Sequence, residues 1–180
     1  MFNSLNKLFG RREPEPNPTA AWPPSGRPEL VYDLKARTLN GLPLGGTFAA
    51  ARPFGRCDDF ERLDEYLDLF YNQAGLSLQF AGDKLIGVVL AVASGFDEGK
   101  QSKLGPGRPV IITPDGKRHA LNSSSNLPDL IACFGQPLEN NPGDDGSIQT
   151  FILHKNVVDA FLDAKTRHLL QLEICETNDA

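Results

Sequence analysis

The chain has 180 residues, 40% of them hydrophobic and 23% charged, with a formal net charge of −5 and a pI near 5.2. That length suits one domain, or two small halves sharing a core. The acidic balance argues against nucleic acid as a main partner, because phosphate binding needs clustered Lys and Arg, and no apolar stretch is long enough to span a bilayer as a helix.

From the N-terminus, Met1 to Arg12 is not a secretory signal: it lacks a continuous apolar core, and its basic pair follows the apolar residues. Phe2, Leu5, Leu8 and Phe9 fall on one helical face, with Lys7, Arg11 and Arg12 nearby. The segment therefore reads either as a short docking or membrane-surface helix or as a frayed tail. Glu13 to Pro28 holds six prolines and reads as an extended linker, with Trp22 folding back onto the domain or awaiting a partner. Residues 1–29 are thus expected to form a flexible Pro-rich arm.

A first α+β unit is expected over residues 30–97. Leu30 to Leu34 reads as a strand, and Thr38 to Thr47 has turn chemistry, with Asn40-Gly41 and Gly45-Gly46 supplying positive φ. Thr47 is placed to cap a short helix Phe48 to Arg52 that Pro53 stops. Asp58 to Phe70 is ambiguous: Phe60, Leu63, Tyr66, Leu67 and Phe70 have helical spacing, yet Tyr66 to Phe70 also suits a strand. Gly75 to Phe80 alternates apolar and polar residues, and with Leu85 to Val92 it makes a hairpin.

Residues 98–109 read as a connector, and 110–180 as a second α+β unit within the same globular domain. Val110 to Thr113 is a strand, Pro114 to Lys117 a turn, and Asn126 to Phe134 a helix with caps at both ends and Pro128 in its first turn. Asn140 to Gly146 reads as an acidic loop, followed by strands at Ile148–Leu153, Val157–Leu162 and Leu169–Ile174, with a turn at Lys155-Asn156. Phe54-Gly55 matches Phe134-Gly135, Phe80 matches Phe161, and Leu85 matches Leu169 at slowly drifting offsets. The expected fold is α+β, mostly antiparallel sheet with short helices, arranged as two tandem helix-plus-sheet repeats.

Leu130-Ile131-Ala132-Cys133-Phe134-Gly135-Gln136-Pro137, and less closely Ala51-Arg52-Pro53-Phe54-Gly55, resemble the repeat of β-lactamase-inhibitory proteins and the similar small outer-membrane-assembly lipoprotein module. The resemblance spans about Thr38 to Ile174. It implies two helix-plus-sheet units presenting a concave sheet face to another protein, and it carries over no catalytic residues. The signal peptide, lipobox cysteine and cysteine pairs of those families have no counterpart here.

No motif carries identifiable chemistry. His119, His154 and His168 lack the spacing of a metal pair. Cys57, Cys133 and Cys175 are far apart and form no CxxC, so neither zinc nor a redox pair is indicated, and a reducing cytoplasm is the expected setting. Cys57 precedes Asp58-Asp59, whose charge raises a thiol pKa, the wrong direction for a nucleophile. No GxSxG elbow, phosphate loop or calcium loop is present.

The reading is a cofactor-free, metal-free and non-catalytic protein-binding module of inhibitor, immunity or adaptor type. Tyr66, Tyr71, Phe96, Asp144 and Asp145 are its candidate contact residues. Two alternatives stand beside it: an enzyme whose site is assembled between the halves from histidine and carboxylates, and a membrane-peripheral adaptor touching lipid through Met1 to Arg12.

Overall fold

Leu76, Leu78 and Phe80, alternating with Ser77 and Gln79, build a strand that turns one apolar row into the core. The computed structural model describes residues 15–26, 29–94, 103–143 and 146–177. The strands are β1 (Val31–Asp33), β2 (Thr38–Leu39), β3 (Leu42–Pro43), β4 (Asp59–Leu63), β5 (Tyr66–Tyr71), β6 (Leu76–Ala81) and β7 (Lys84–Ala91). After them come β8 (Val110–Ile112), β9 (Arg118–Ala120), the helix α1 (Leu127–Phe134), and β10 (Glu139–Gly143), β11 (Gly146–Leu153), β12 (Asn156–Asp163) and β13 (Leu169–Glu176). A 3₁₀ helix, Phe48–Phe54, precedes β4.

Two sheets result: a small one ordered β3-β2-β1-β8-β9 and a large one ordered β10-β11-β12-β13-β7-β6-β5-β4. All pairs within the large sheet are antiparallel, and β1 with β8 is parallel. One core joins the layers. Tyr32, Leu34 and Leu39 of the small-sheet region, Phe54 of the 3₁₀ helix, and Leu130 and Phe134 of α1 pack on Leu69, Leu78, Phe80, Val88, Phe151 and Leu172 of the large sheet. Each such buried side chain contributes about 1.5–3 kcal/mol. The α+β expectation holds at this level. β1 pairs with β8 and β7 with β13, so the two halves share both sheets.

A buried polar knot locks the layers together. Tyr32 donates its hydroxyl to Asn156 Oδ1 at 2.8 Å. Asn156 Nδ2 in turn donates to the carbonyls of Leu34 at 3.0 Å and Leu153 at 2.8 Å. Both side chains are fully buried. The knot thus ties β1 to the β11–β12 turn, and that turn falls at His154 and Lys155, both at positive φ, rather than at Lys155-Asn156.

Several local expectations change. Asp58 to Phe70 is the antiparallel pair β4–β5, since Leu67 and Leu69 alternate into the core and a helix would have thrown them to different faces. Thr47 makes no side-chain cap, and Pro53 lies inside the 3₁₀ helix Phe48–Phe54 that it was expected to stop. The expected acidic loop begins as β10, paired to β11. By contrast α1 carries a full capping box between Asn126 and Asp129, and its Phe134 ring lies 5.3 Å from that of Phe151.

Residues 15–26, expected within the flexible arm, run along the 3₁₀ helix and β4. Trp22 folds back, its ring 4.9 Å from that of Phe48, and Glu15 pairs with Arg62 of β4 at 2.6 Å. Within the connector, Gly105 donates its N–H to the Asn72 carbonyl at 2.7 Å and Gly107 to that of Ala91 at 2.8 Å. Gly75, at φ 68°, faces this crossing so closely that a Cβ there would lie 2.6 Å from the Gly107 nitrogen.

Candidate binding face

The layer of small sheet and helices covers one face of the large sheet. Register gives the composition of the other. Ile152, Val157, Cys175, Gly87, Gln79, Asp68 and Glu61 follow one another across β11 to β4 and therefore share the outer face. The adjoining row runs Glu139, Thr150, Asp159, Glu173, Val89, Ser77 and Phe70. Beyond the first row, at the hairpin end, lie Leu63, Tyr66, Ala81 and Lys84. Ile86 is the extra residue where the β6–β7 register shifts, directed away from the buried Leu85.

Leu63 (69% exposed), Ile152 (52%), Tyr66 (49%) and Ile86 (38%) are four of the five large apolar side chains that are exposed among the described residues. Leu63, Tyr66 and Ile86 group at the hairpin end of this face across β4 to β7, and Ile152 stands at the same end three strand spacings further on, on β11. Leu104 and the connector cover the opposite end through Phe70, Val89 and Ala91.

The same face is acidic. Glu61, Asp68, Glu139, Asp159 and Glu173 project from it, and Lys84 is the one cation that strand register places there among the described residues. The accumulated charge is felt locally. Burial, reinforced by Glu61, pushes the Asp68 carboxyl up to about 6. Burial, with Glu173 and Asp159 adding, pushes the Cys175 thiol up to about 11. Thr150 donates its hydroxyl to Asp159 at 2.6 Å, and the Gln79 amide lies across Gly87, where a Cβ would collide with it.

Of the contact residues expected from sequence, Tyr66 lies on this face. Tyr71 does not: it points into the core, its ring 6.2 Å from that of Phe54 and its hydroxyl donating to the Gly55 carbonyl at 3.1 Å. Tyr71 sits one step out of phase with Tyr66 along β5, so the period of two sends them to opposite faces. Phe96, Asp144 and Asp145 lie outside the described residues. Sequence reasoning missed Leu63, Ile86, Ile152, Asp68, Asp159 and Glu173. The signal that could have found Ile152 and Asp159 was the second phase of the alternating strands, polar and apolar residues mixed where a solvated face is normally polar throughout.

A surface cleft of about 350 Å³ brings His119, Ser124, Ser125, Asp129 and Cys133 together. Its polar groups serve the start of α1: Asp129 accepts from the Asn126 N–H at 2.9 Å, Ser125 Oγ from the Asn122 N–H at 3.0 Å, and Ser124 donates to Asn122 Oδ1 at 2.6 Å. Cys133 is buried, and burial with Asp129 beside it pushes its thiol up to about 12, away from a nucleophilic thiolate. Burial is also the main cause that raises Cys57, ahead of the neighbouring Asp58 charge. Among the described residues no group of three His, Cys, Asp or Glu side chains is placed to hold a metal ion.

No protein-family model matches the sequence, and no curated protein matches it. Among solved structures, the fold is similar to an extracellular protein containing a SCP domain from Bacillus anthracis, at TM-score 0.51 and 12% identity. That match covers 79% of this chain and 46% of the other, so the chain spans less than half of that protein's length. A DUF4309 family protein, YjgB, from Bacillus subtilis aligns at TM-score 0.46 and 10% identity over 77% of this chain and 84% of its own. A cysteine-rich secretory protein from Staphylococcus aureus aligns at TM-score 0.48 and 10% identity, over 83% and 51%.

These similarities correct two expectations. The solved structure that shares the fold at TM-score 0.51 is described by its SCP domain and not as a β-lactamase-inhibitory or outer-membrane-assembly repeat. The cytoplasmic setting is overturned as well, since the structure that shares the fold at TM-score 0.51 belongs to an extracellular protein. Isolated buried thiols, on which that expectation rested, suit either compartment.

Proposed function

We propose that the chain is a non-catalytic protein-binding module whose contact surface is the outer face of the large sheet. One observation carries this reading: three exposed apolar side chains, Leu63, Tyr66 and Ile86, gather on the hairpin end of that face beside Glu61 and Asp68, with Ile152 exposed further along the same end. Solvated sheet faces are ordinarily polar, and a grouped apolar patch with a charged rim is the composition of a contact surface. The partner's complementary surface is apolar with cationic side chains, which steer association toward Glu61, Asp68, Asp159 and Glu173. The extracellular description of the fold's neighbour favours a partner met outside the cytoplasm.

An internal duplication belongs to this proposal. In its support, each half runs hairpin, short helix and four-stranded meander. The helices end on Gly55 (φ 78°, ψ −169°) and Gly135 (φ 83°, ψ −162°), glycines in matching conformations.

The test is capture of a partner by the immobilised chain, compared with Tyr66→Ser/Ile152→Ser on the face and Leu138→Ser, an exposed apolar residue of the β10 edge. A protein retained by wild type and L138S but lost from the face variant supports the reading. Equal retention by all three sinks it.

A further inference from the structure

We propose that Gly135, Gln136 and Leu138, where α1 hands the chain to β10, form a docking site for an extended, proline-containing segment of another protein. The site lies off the outer sheet face, so either reading can fail without the other.

The first half of the chain shows what such a place holds. Its 3₁₀ helix ends on Gly55, and residues 23–25 cross that glycine closely. A Cβ there would lie 2.7 Å from the Ser25 Cα and 2.8 Å from the carbonyl oxygens of Pro23 and Pro24. The next N–H, that of Arg56, donates to the Pro23 carbonyl at 2.7 Å, and Pro24 bridges Arg56 in parallel. Proline suits this crossing, because it is held extended, offers a carbonyl acceptor and has no N–H of its own to leave unpaired. Under this cover Gly55 and Cys57 are buried.

The same backbone geometry recurs where α1 ends. Gly135 (φ 83°, ψ −162°) matches Gly55 (φ 78°, ψ −169°). Upstream, Leu169 donates its N–H to the Ser125 carbonyl at 2.7 Å, as Leu85 does to that of Gly46 at 2.8 Å. Downstream, Leu138 donates to the Thr150 carbonyl at 2.7 Å, as Asp58 does to that of Phe70 at 2.8 Å. Gln136 is therefore the counterpart of Arg56, and Leu138 that of Asp58. The surface, however, is open here. Among the described residues no atom lies within 4 Å of the place a Gly135 Cβ would take, and the Gln136 N–H has no backbone acceptor. Gly135 and Gln136 are exposed. Leu138, 65% exposed, is the fifth of the exposed large apolar side chains and lies off the outer face.

These features select the occupant. The Gln136 N–H calls for a carbonyl where Pro23 supplies one to Arg56, and Gly135 lets a backbone cross at contact distance. Cys57 donates its N–H to Thr19 and accepts from Asn17. Its counterpart Pro137 has no N–H to give, and Leu138 replaces the Asp58 carboxylate. The occupant is accordingly apolar where the chain's own segment is polar. A segment already extended loses little entropy on docking. Residues 15–26 are engaged in cis at Cys57, Phe48 and Arg62, so the occupant belongs to a partner.

NMR of the full chain tests this in two steps. Amide exchange comes first: Gln136 should exchange about tenfold faster than Arg56 or more. Equal protection would mean that the chain covers the site itself, and overturns the proposal. The second step titrates a synthetic peptide of residues 18–26 carrying Thr19→Leu and Ala20→Leu. The Gln136 and Leu138 amides should shift while that of Arg56 stays in place, and Leu138→Ser should weaken binding about tenfold through the lost apolar contact. Shifts at Arg56 instead would mean that the peptide displaces residues 15–26, and no saturable shift at all would mean that no such site exists; either overturns the proposal. Shifts at Gln136 that follow protein concentration without peptide also overturn it, and assign the site to a second copy. In the capture comparison above, a protein kept by the face variant and lost from L138S is bound here and not on the outer face.

Discussion

The two faces of the large sheet are built from the same strands, alternate residues apart, yet they obey different rules. The inner face is apolar and closed by the small sheet, the 3₁₀ helix and α1; its polar knot, Tyr32 with Asn156, has hydrogen-bond partners on both sides. The outer face mixes carboxylates with exposed apolar side chains. Every strand therefore carries two messages in alternation, stability on one phase and surface chemistry on the other. The comparison also predicts where mutations act: inner-face changes should move stability, and outer-face changes should move binding.

The largest stability effect is expected at Phe151→Ala. Phe151 is fully buried and packs against Phe134 of α1, so truncation leaves a cavity between sheet and helix and costs about 3–5 kcal/mol. In a chain of this size that corresponds to a Tm fall of about 10 °C. A fall of only a degree or two, read by calorimetry, would mean that α1 does not seal the inner face.

Next is Asn156→Ala, which strands the Tyr32 hydroxyl and the Leu34 and Leu153 carbonyls in the interior. Leaving these groups unsatisfied costs about 2–3 kcal/mol. Tyr32→Phe, which removes one bond and leaves the rest of the knot, should cost about 1 kcal/mol. Urea midpoints of the two single variants and the double variant then measure the coupling. Purely additive effects would remove the idea that the knot ties the layers as a unit.

Asp68→Asn tests the outer face through pH. Its carboxyl ionises near 6 in the folded chain against an ordinary value of 3.8. The unfolded state therefore gives up its proton first, and wild-type stability should decline as pH rises from about 4 to about 6 and stay level above. The asparagine variant lacks this decline. It should match wild type near pH 4 and exceed it at pH 8, by an amount that solvent screening keeps small. A variant less stable than wild type at pH 8 would mean that the ionised carboxylate has a stabilising partner.

How much of this was legible in sequence follows the same division. Leu76 to Phe80 alternates cleanly, so β6 and its inner face could be read directly. Asn126 and Asp129 carry the capping box in their side chains, which made α1 readable too. At β4–β5 the apolar residues of both faces, Leu63, Tyr66, Leu67 and Phe70, mimic helical spacing, and only pairing with β6 resolves them. The composition of the outer face was hidden for a stronger reason. Glu61 with Asp68 and Asp159 with Glu173 each pair across a local hairpin, and the two acidic pairs come onto one sheet face only because β7 pairs with β13, a long-range choice that local pattern does not encode. Of the two tyrosines expected as contacts, Tyr66 lies on the outer face and Tyr71 in the core, because residue type signals an interface anchor, whereas only strand phase says which face it occupies.

The smallest stability effect, and the sharpest use of the comparison, is Ile152→Ser. Ile152 sits 52% exposed on β11 opposite Val157, and its neighbour in sequence, Phe151, is fully buried. A one-residue step along the strand thus separates a side chain whose loss costs about 3–5 kcal/mol from one whose loss should change stability by no more than about 0.5 kcal/mol. If Ile152 serves only contact, the serine variant should unfold with wild-type midpoint and slope while losing affinity for whatever occupies the face. A midpoint drop approaching that of Phe151→Ala would show that the outer face is already covered within the folded chain.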